Sequence, residues 1–394
     1  MLDANAPIGA PSHGGRAAAA PGGWRERWRA WRDRTLTDPA FQRRAVRWPF
    51  ARAIARRRAR ALFDLVGGFV YTQVLLACVR VRAFEILAEG TQSLEALARR
   101  FGLPPAAAER LLDAAAALEL VEVRGSGWYG LGALGAPLVG NEALTAMIEH
   151  HAVLYADLSD PLALLRGDGP PPALARYWAY ATADRPGTLP GGQVAEYSAL
   201  MSASQPLVAE EVLDAYDVSR HRCLMDVGGG QGRFLVAAAR RAPALRLQLF
   251  DLPAVVPAAR EAFERAGVSA RAQIHGGDFT QDRLPEGADL ASLVRVCYDH
   301  GDARVLTILR AVHAALPPGG TLLLAEPMAG APGAPRMGDA YFGFYLLAMG
   351  SGRSRTAQDL ATLVREAGFV EVREVPTALP VQVGVLLARK PALG

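Results

Sequence analysis

Residues 224–234 read LMDVGGGQGRF: a short apolar run, an aspartate, then glycines at 228, 229, 230 and 232. No other stretch limits the fold so strongly. An apolar run closed by an acid reads as a buried strand, and the glycines permit a turn too tight for residues that carry a Cβ. They also let a ligand approach the backbone. From residue 221 onward, strand and helix patterns alternate. Strands are expected at Cys223–Asp226, Leu245–Asp251, Ala270–His275, Ala288–Val296 and Thr321–Glu326, with helices near 232–241, 254–266, 302–316 and 356–367. Such alternation predicts an α/β fold built on a doubly wound parallel sheet. The closing segments FVEVREV and VQVGVLLARK, joined by PTALP, predict a terminal hairpin that adds an antiparallel edge strand.

In an open sheet of this kind the ligand sits beyond the carboxyl ends of the strands. A GxG pattern alone serves several nucleotide cofactors. Two details favour S-adenosylmethionine over a dinucleotide. Gly228, Gly230 and Gly232 follow a compressed GxGxG spacing, and HGGDFT supplies Asp278 and Phe279, an acid and an aromatic suited to an adenine amine and ring face. Asp251, before Leu252 in LFDLP, suits a ribose diol, although a dinucleotide site would offer the same acid. The competing readings are a helix cap for Asp251 and a turn residue for Asp278.

The remainder is mainly helical. Residues 1–23 are Ala/Gly/Pro-rich, without the apolar core of a signal peptide, and are expected to lack fixed structure. Between Trp24 and Arg60 thirteen arginines face Glu26, Asp33 and Asp38, and Trp24, Trp28 and Trp31 share one helical face. That arm reads either as a basic amphipathic segment on an anionic membrane or as a solvated arm packing on the body or a partner. Leu62–Val79 is rejected as a membrane span because it holds Asp64, Gly67, Gly68 and Gln73. Ser93–Arg100, then Pro104 through Glu119, then LVEVRGSGWYGLG around Gly125 and Gly127 give a helix, helix, hairpin outline like a winged helix. Its second helix carries only Glu109, Arg110 and Asp113 as charges, which argues against phosphate contact and for a dimerisation role. Cys78, Cys223 and Cys297 lack metal or redox spacing and imply free thiols in a reducing cytoplasm. The divisions expected are 1–60, a basic arm; 61–215, a helical dimerisation domain; and 216–394, a cofactor-binding catalytic domain.

Several stretches carry a resemblance: LMDVGGGQG, LFDLPAVV, GGDF, RVCYDHGDARVLTILRAVHAALPPGG, LLLAEPM and GRSRTAQDLATLVREAGF. Together they resemble the plant-type and bacterial S-adenosylmethionine-dependent O-methyltransferases, over nearly everything after residue 61. Within that class, ALFDLVGGFVYTQVLL, HHAVLYADLSDPLALLRGD, LVRVCYDH and YFGFYLLAMGSGRSR are similar to the carotenoid O-methyltransferases of bacteria. The resemblance implies a Rossmann-like catalytic sheet, a homodimer, no metal, no nucleic acid, and methylation of the tertiary hydroxyl of an acyclic hydroxycarotenoid. The alternative is another aromatic, polyketide or bacteriochlorophyllide substrate. It places cofactor contacts on Asp226, Gly228, Gly230, Gly232, Asp251, Leu252, Asp278, Phe279 and Arg295. Tyr298 stands where the family's basic histidine would be, and His300 where its tryptophan would be. The family's second supporting glutamate is replaced by Ser354. His300 is therefore the first candidate base, with Tyr298 as a hydrogen-bond partner and Glu326 to orient them. His150, Tyr155, Tyr341, Phe342, Tyr345 and Met349 are candidate substrate residues, the last four on an apolar stretch that reads either as the lining of a tunnel or as core or dimer packing. The protein is expected in the cytoplasm, with peripheral contact at the inner membrane.

Overall fold

The computed structural model describes residues 23–178, 180, 183, 191–331, 340–380 and 382–392. The expected disorder of residues 1–22 lies outside these, as do Asp339 and Val381 of the expected tunnel and hairpin. The chain divides into two compact units, Met1–Leu75 and Leu76–Gly394.

In the first unit, helices Trp24–Thr37 and Pro39–Arg47 bury no residue, and helix Pro49–Arg80 buries only Leu76, Cys78 and Val79, all beyond the unit's end. Prolines open the second and third helices because they need no N–H partner there. The carboxylate of Asp38 accepts the amide of Ala40 at 2.8 Å and caps the second. Pro49–Arg80 is long and apolar enough to cross a bilayer by length and composition alone.

The second unit begins with helix Ala83–Ala88, β1 (Gln92–Ser93), helices Leu94–Phe101 and Pro105–Ala117, and a hairpin of β2 (Val121–Gly125) and β3 (Trp128–Leu131). The three short strands pair in the order β1-β3-β2. Ser93 caps its helix by accepting the amide of Ala96 at 3.3 Å. Leu97, Phe101, Leu112 and Ala115 turn inward. Helices Glu142–Asp157, Pro161–Arg166, Ala173–Tyr177 and Gly191–Ala215 follow.

The main sheet holds β4 (Cys223–Val227), β5 (Arg246–Asp251), β6 (Ala272–Gly276), β7 (Leu290–Val294), β8 (Thr321–Glu326), β9 (Val370–Val375) and β10 (Gly384–Arg389). Their order is β6-β5-β4-β7-β8-β10-β9. The first five run parallel. The chain winds outward from β4 to β6, then returns to β7 on the other side, so the carboxyl end of β4 is the switch point where ligands bind. Both faces of β4 are covered: Met225 and Val227 join one apolar layer, Leu224 the other. Truncating Leu224 to alanine would cost about 2–5 kcal/mol.

The terminal hairpin differs from expectation in one respect. The antiparallel strand is β10, and it is interior, paired with both β8 and β9. β9 forms the edge and runs in the direction of β8. Composition explains the exchange: GVLLAR is buried along most of its length, whereas VEVREV presents charges suited to an edge.

Candidate active site

The turn after β4 depends on its glycines. Gly228, Gly230 and Gly232 take φ of 71°, 58° and 74°, a region that strains residues with a Cβ. A Cβ at Gly229 would lie 2.4 Å from Asp226 Oδ2, and one at Gly232 2.3 Å from the Phe263 ring. At Gly230 it would meet no atom within 4 Å and would point into open space at a pocket wall. Asp226 stands beneath the turn. It accepts the Ser292 hydroxyl at 2.6 Å, which ties β4 to β7, and burial pushes its carboxyl up to about 7. Asp226 and Gly232 thus support the turn, while Gly228, Gly229 and Gly230 line the pocket.

Asp251 ends β5 and faces the same pocket. Its Oδ2 accepts the amide of Gly230 at 2.6 Å and its Oδ1 that of Leu252 at 2.7 Å. Each oxygen keeps a lone pair for a ligand donor. Burial raises this carboxyl to about 6 against those two amides. Asp278 Oδ1 accepts the amide and hydroxyl of Thr280 at 2.9 and 2.6 Å, so it shapes a turn while lining the pocket. Phe279 and Leu252 add apolar wall. Arg295 ends β7 two residues earlier than expected because its φ is 59°. Its guanidinium donates to Ser204 Oγ and lies against Met201 Sδ, both at 2.8 Å.

These residues fit S-adenosylmethionine. Asp251 can take the sugar diol, Asp278 and Phe279 the adenine, and the Gly230 cradle leaves room for the ligand's close approach.

The pocket's far side is a 3-10 turn, Cys297–Asp299. Glu326, 1% exposed at the end of β8, accepts the amides of Val296 at 3.0 Å and Cys297 at 2.6 Å. Burial chiefly raises its carboxyl to about 8. All four carbonyls from 297 to 300 are gripped by the Ser351–Arg355 stretch. Arg355, 2% exposed, donates to Cys297 O at 2.9 Å and His300 O at 2.7 Å, and pairs with Asp302 at 2.6 Å. The amide of Arg353 donates to Tyr298 O at 3.0 Å, and Ser351 Oγ to Asp299 O at 2.7 Å. Gly352 permits this approach: a Cβ there would lie 2.4 Å from Tyr298 O.

The turn sends its side chains different ways. His300 lines the cofactor pocket, its ring 5.8 Å from Phe279, and burial holds its imidazole down to about 3. Tyr298 lies among apolar and aromatic groups, its ring 6.0 Å from Phe342, and burial pushes its phenol well up. Asp299, between them, lines the pocket and accepts the Tyr180 hydroxyl at 2.5 Å. Burial raises Asp299 to about 7, while the Tyr180 hydrogen bond and then the Arg295 cation oppose the rise.

Beyond Tyr298 lies a packed aromatic layer, an aromatic wall beside the pocket; Tyr341, Phe342, Tyr345 and Met349, expected along a tunnel, are packed in this core cluster and are not among the pocket's lining residues. Helix Phe342–Met349 packs against helices Glu142–Asp157 and Ala173–Tyr177. His150 Nε2 meets Tyr345 Oη at 2.8 Å, and Trp178 Nε1 donates to the same hydroxyl at 2.8 Å. His151 Nε2 meets Tyr341 Oη at 2.6 Å. Burial holds His150 down to about 4 and lowers His151 too, so both are neutral at pH 7. Tyr341, Phe342, Tyr345 and Met349 belong to this cluster, and Tyr155 lies near enough to Tyr341 to act on its charge. Phe344, on the same helix, faces outward at 37% exposed. Asp299, Tyr180, Trp178 and Arg355 were not singled out in the sequence. Asp299 had a visible signal, its place inside YDH; the others are joined to the site only by distant chain contacts.

Comparison with known proteins identifies the family. Residues 188–370 match the O-methyltransferase domain and residues 63–141 the O-methyltransferase dimerisation domain, which takes in the apolar part of helix Pro49–Arg80. The chain is 44% identical to the demethylspheroidene O-methyltransferase of Cereibacter sphaeroides, over 89% of this chain and 92% of that protein. It is 42% identical to the enzyme of the same name from Rhodobacter capsulatus, over 87% and 85%. Among solved structures, human N-acetylserotonin methyltransferase in complex with S-adenosylmethionine superposes with a TM-score of 0.69 at 25% identity, over 85% of this chain and 98% of that one.

Proposed function

We propose a substrate and a proton acceptor for this chain, which belongs to the O-methyltransferase family and is an S-adenosylmethionine-dependent O-methyltransferase. The substrate is the tertiary hydroxyl of an acyclic hydroxycarotenoid of the hydroxyneurosporene or demethylspheroidene type. The two bacterial relatives support this reading by their names. The aromatic wall supports it by its chemistry, since ring faces and neutral histidines suit an apolar chain ending in one hydroxyl.

When bound, the cofactor supplies an electrophilic methyl group on a sulfonium. Gly228–Gly230, Asp251, Asp278, Phe279 and Arg295 hold it. Asp299 would accept the substrate's hydroxyl proton during methyl transfer. The observation that carries this role is its position: one carboxylate, buried at the pocket wall, bonded to Tyr180 and next to the aromatic cluster. A carboxyl near 7 is matched to neutral pH. A tertiary hydroxyl ionises about as reluctantly as water, with pKa roughly 15.7. Removing its proton first would cost on the order of 12 kcal/mol against such a base. General-base help contributes about 10²–10⁴-fold, and alignment of the reacting atoms about 7–11 kcal/mol. Positioning therefore dominates, and proton removal accompanies methyl transfer. Glu326 and Arg355 position the turn, Tyr298 faces the substrate, and His300 faces the cofactor side.

The enzyme works as a homodimer through its dimerisation domain, whose winged-helix-like elements serve as scaffold and not as a nucleic-acid reader. It acts from the cytoplasm at the inner membrane, where its substrate dissolves. Purified protein, labelled S-adenosylmethionine and a panel of hydroxycarotenoids, phenols and chlorophyllides test the reading. Transfer to the hydroxycarotenoids supports it; transfer only to phenols or macrocycles refutes the substrate.

A further inference from the structure

The first unit carries an exposed surface none of whose residues lines the pocket. Trp24, Trp28 and Trp31 fall at i, i+4 and i+7 of helix Trp24–Thr37 and are 70%, 54% and 57% exposed. Arg25, Arg27, Arg29, Arg32 and Arg34 flank that stripe on both sides. Two guanidinium groups sit over the indoles: Arg25 lies 5.5 Å from the Trp24 ring and Arg32 5.7 Å from that of Trp28. The motif continues into the next segments, with Trp48 62%, Phe50 85% and Ile54 50% exposed among Arg43, Arg44, Arg47, Arg52, Arg56, Arg57, Arg58 and Arg60.

The charges are not internally neutralised. Glu26, Asp33 and Asp38 pair with Arg29, Arg32 and Arg44. The other ten of the thirteen arginines between Trp24 and Arg60 have no carboxylate partner among the described residues. A helix with indoles on one face and cations along both margins suits the boundary between lipid headgroups and acyl chains. The rings enter to shallow depth and the guanidinium groups reach phosphates. Single-stranded nucleic acid also pairs cations with aromatics, but it is bound along a groove, whereas Trp24, Trp28 and Trp31 lie along one exposed helical face.

We propose that residues 24–60 form a docking surface for an anionic lipid bilayer. This deepens the reading of a membrane-dissolved substrate and rests on it for its purpose. The indoles set the depth of insertion and the arginines select anionic headgroups.

Co-sedimentation of the full-length protein with vesicles tests it. Phosphatidylcholine containing about a third phosphatidylglycerol is expected to bind at least about tenfold more tightly than phosphatidylcholine alone, with the difference mostly lost at about 0.5 M salt. The variant combining Trp24→Ala, Trp28→Ala and Trp31→Ala is expected to bind the anionic vesicles about tenfold more weakly. The variant combining Arg25→Gln, Arg27→Gln and Arg34→Gln should lose most of the preference for them. Both should bind S-adenosylhomocysteine like the parent, which verifies the fold. Equal binding to the two vesicle types, full vesicle binding by both variants, or displacement of the vesicles by a uridine oligonucleotide would overturn the proposal. Methyl transfer to a hydroxycarotenoid in detergent, without vesicles, reads the substrate assignment separately.

Discussion

The pocket wall after β4 and the aromatic layer packed beside it are made in different ways. The cofactor wall is built from main chain and short side chains at strand ends. Gly230 and Asp251, which bond across it, are 21 residues apart. The aromatic wall is built from long side chains that meet across the tertiary structure. His150 and Tyr345 are 195 residues apart, and Tyr180 and Asp299 are 119 apart. A wall of backbone amides can hardly change without moving the sheet. A wall of side-chain pairs can be rebuilt residue by residue, so substrate choice can vary while cofactor binding stays constant.

The largest expected effect is at the seam between the walls. Asp299→Asn should lower kcat by about 10²–10⁴-fold while calorimetry finds S-adenosylhomocysteine bound nearly as before. A full-rate variant would remove Asp299 as the proton acceptor. Next, Asp251→Ala should raise the cofactor Kd on the order of 10²-fold, since hydrogen bonds to a charged group contribute about 1.5–3 kcal/mol each. The KM for the acceptor should hardly move in that variant.

The two carboxylates should also separate by pH. Asp251, raised to about 6, must be ionised to accept a diol, so cofactor affinity should fall as pH drops through 6. Asp299, raised to about 7, must be ionised to accept a proton, so turnover at saturating cofactor should rise through 7. Coincident midpoints would mean one group controls both.

Smaller effects belong to the aromatic wall. Tyr345→Phe removes the hydroxyl shared by His150 and Trp178 and should cost about 1–3 kcal/mol of stability by breaking two buried hydrogen bonds. The acceptor KM should rise several-fold with the cofactor Kd unchanged. Equal changes in both would erase the distinction between the walls. The last effect, on stability alone, is at Glu326, whose folded carboxyl is raised to about 8 from 4.5. A raised acid holds its proton more tightly when folded, so its contribution to stability declines as pH rises from about 4.5 to 8. Glu326→Gln removes that decline. Its Tm relative to the parent should therefore be higher by a few degrees at pH 9 than at pH 5.

Much of the cofactor wall was legible because its parts have local reasons to exist. Glycines at 228, 230 and 232 answer a positive φ, and acids at 251 and 278 follow apolar strands. The same reading placed Asp226 and Gly232 in contact with the ligand; in the structure the first bonds Ser292, the second makes room for Phe263, and neither is among the pocket's lining residues. YDH was legible as a stretch of interest, but the facing of its side chains at the 3-10 turn was not. In a 3-10 turn successive residues are rotated by about 120°, so neighbours look into different surroundings. Arg355 left no signal in a chain rich in arginine, although it is buried against the carbonyls of the turn.

Alternating apolar strands and helices, with glycines closing the first strand, determined the sheet, its switch point and a nucleoside-binding end. Those properties follow from local periodicity and backbone sterics, which a linear string carries. The insertion of β10 inside the sheet, the carbonyl grip of residues 351–355, and the meeting of His150, Trp178 and Tyr345 were decided only on folding. Each depends on which buried polar groups come within bonding distance once the apolar layers close, and sequence separation does not record that distance.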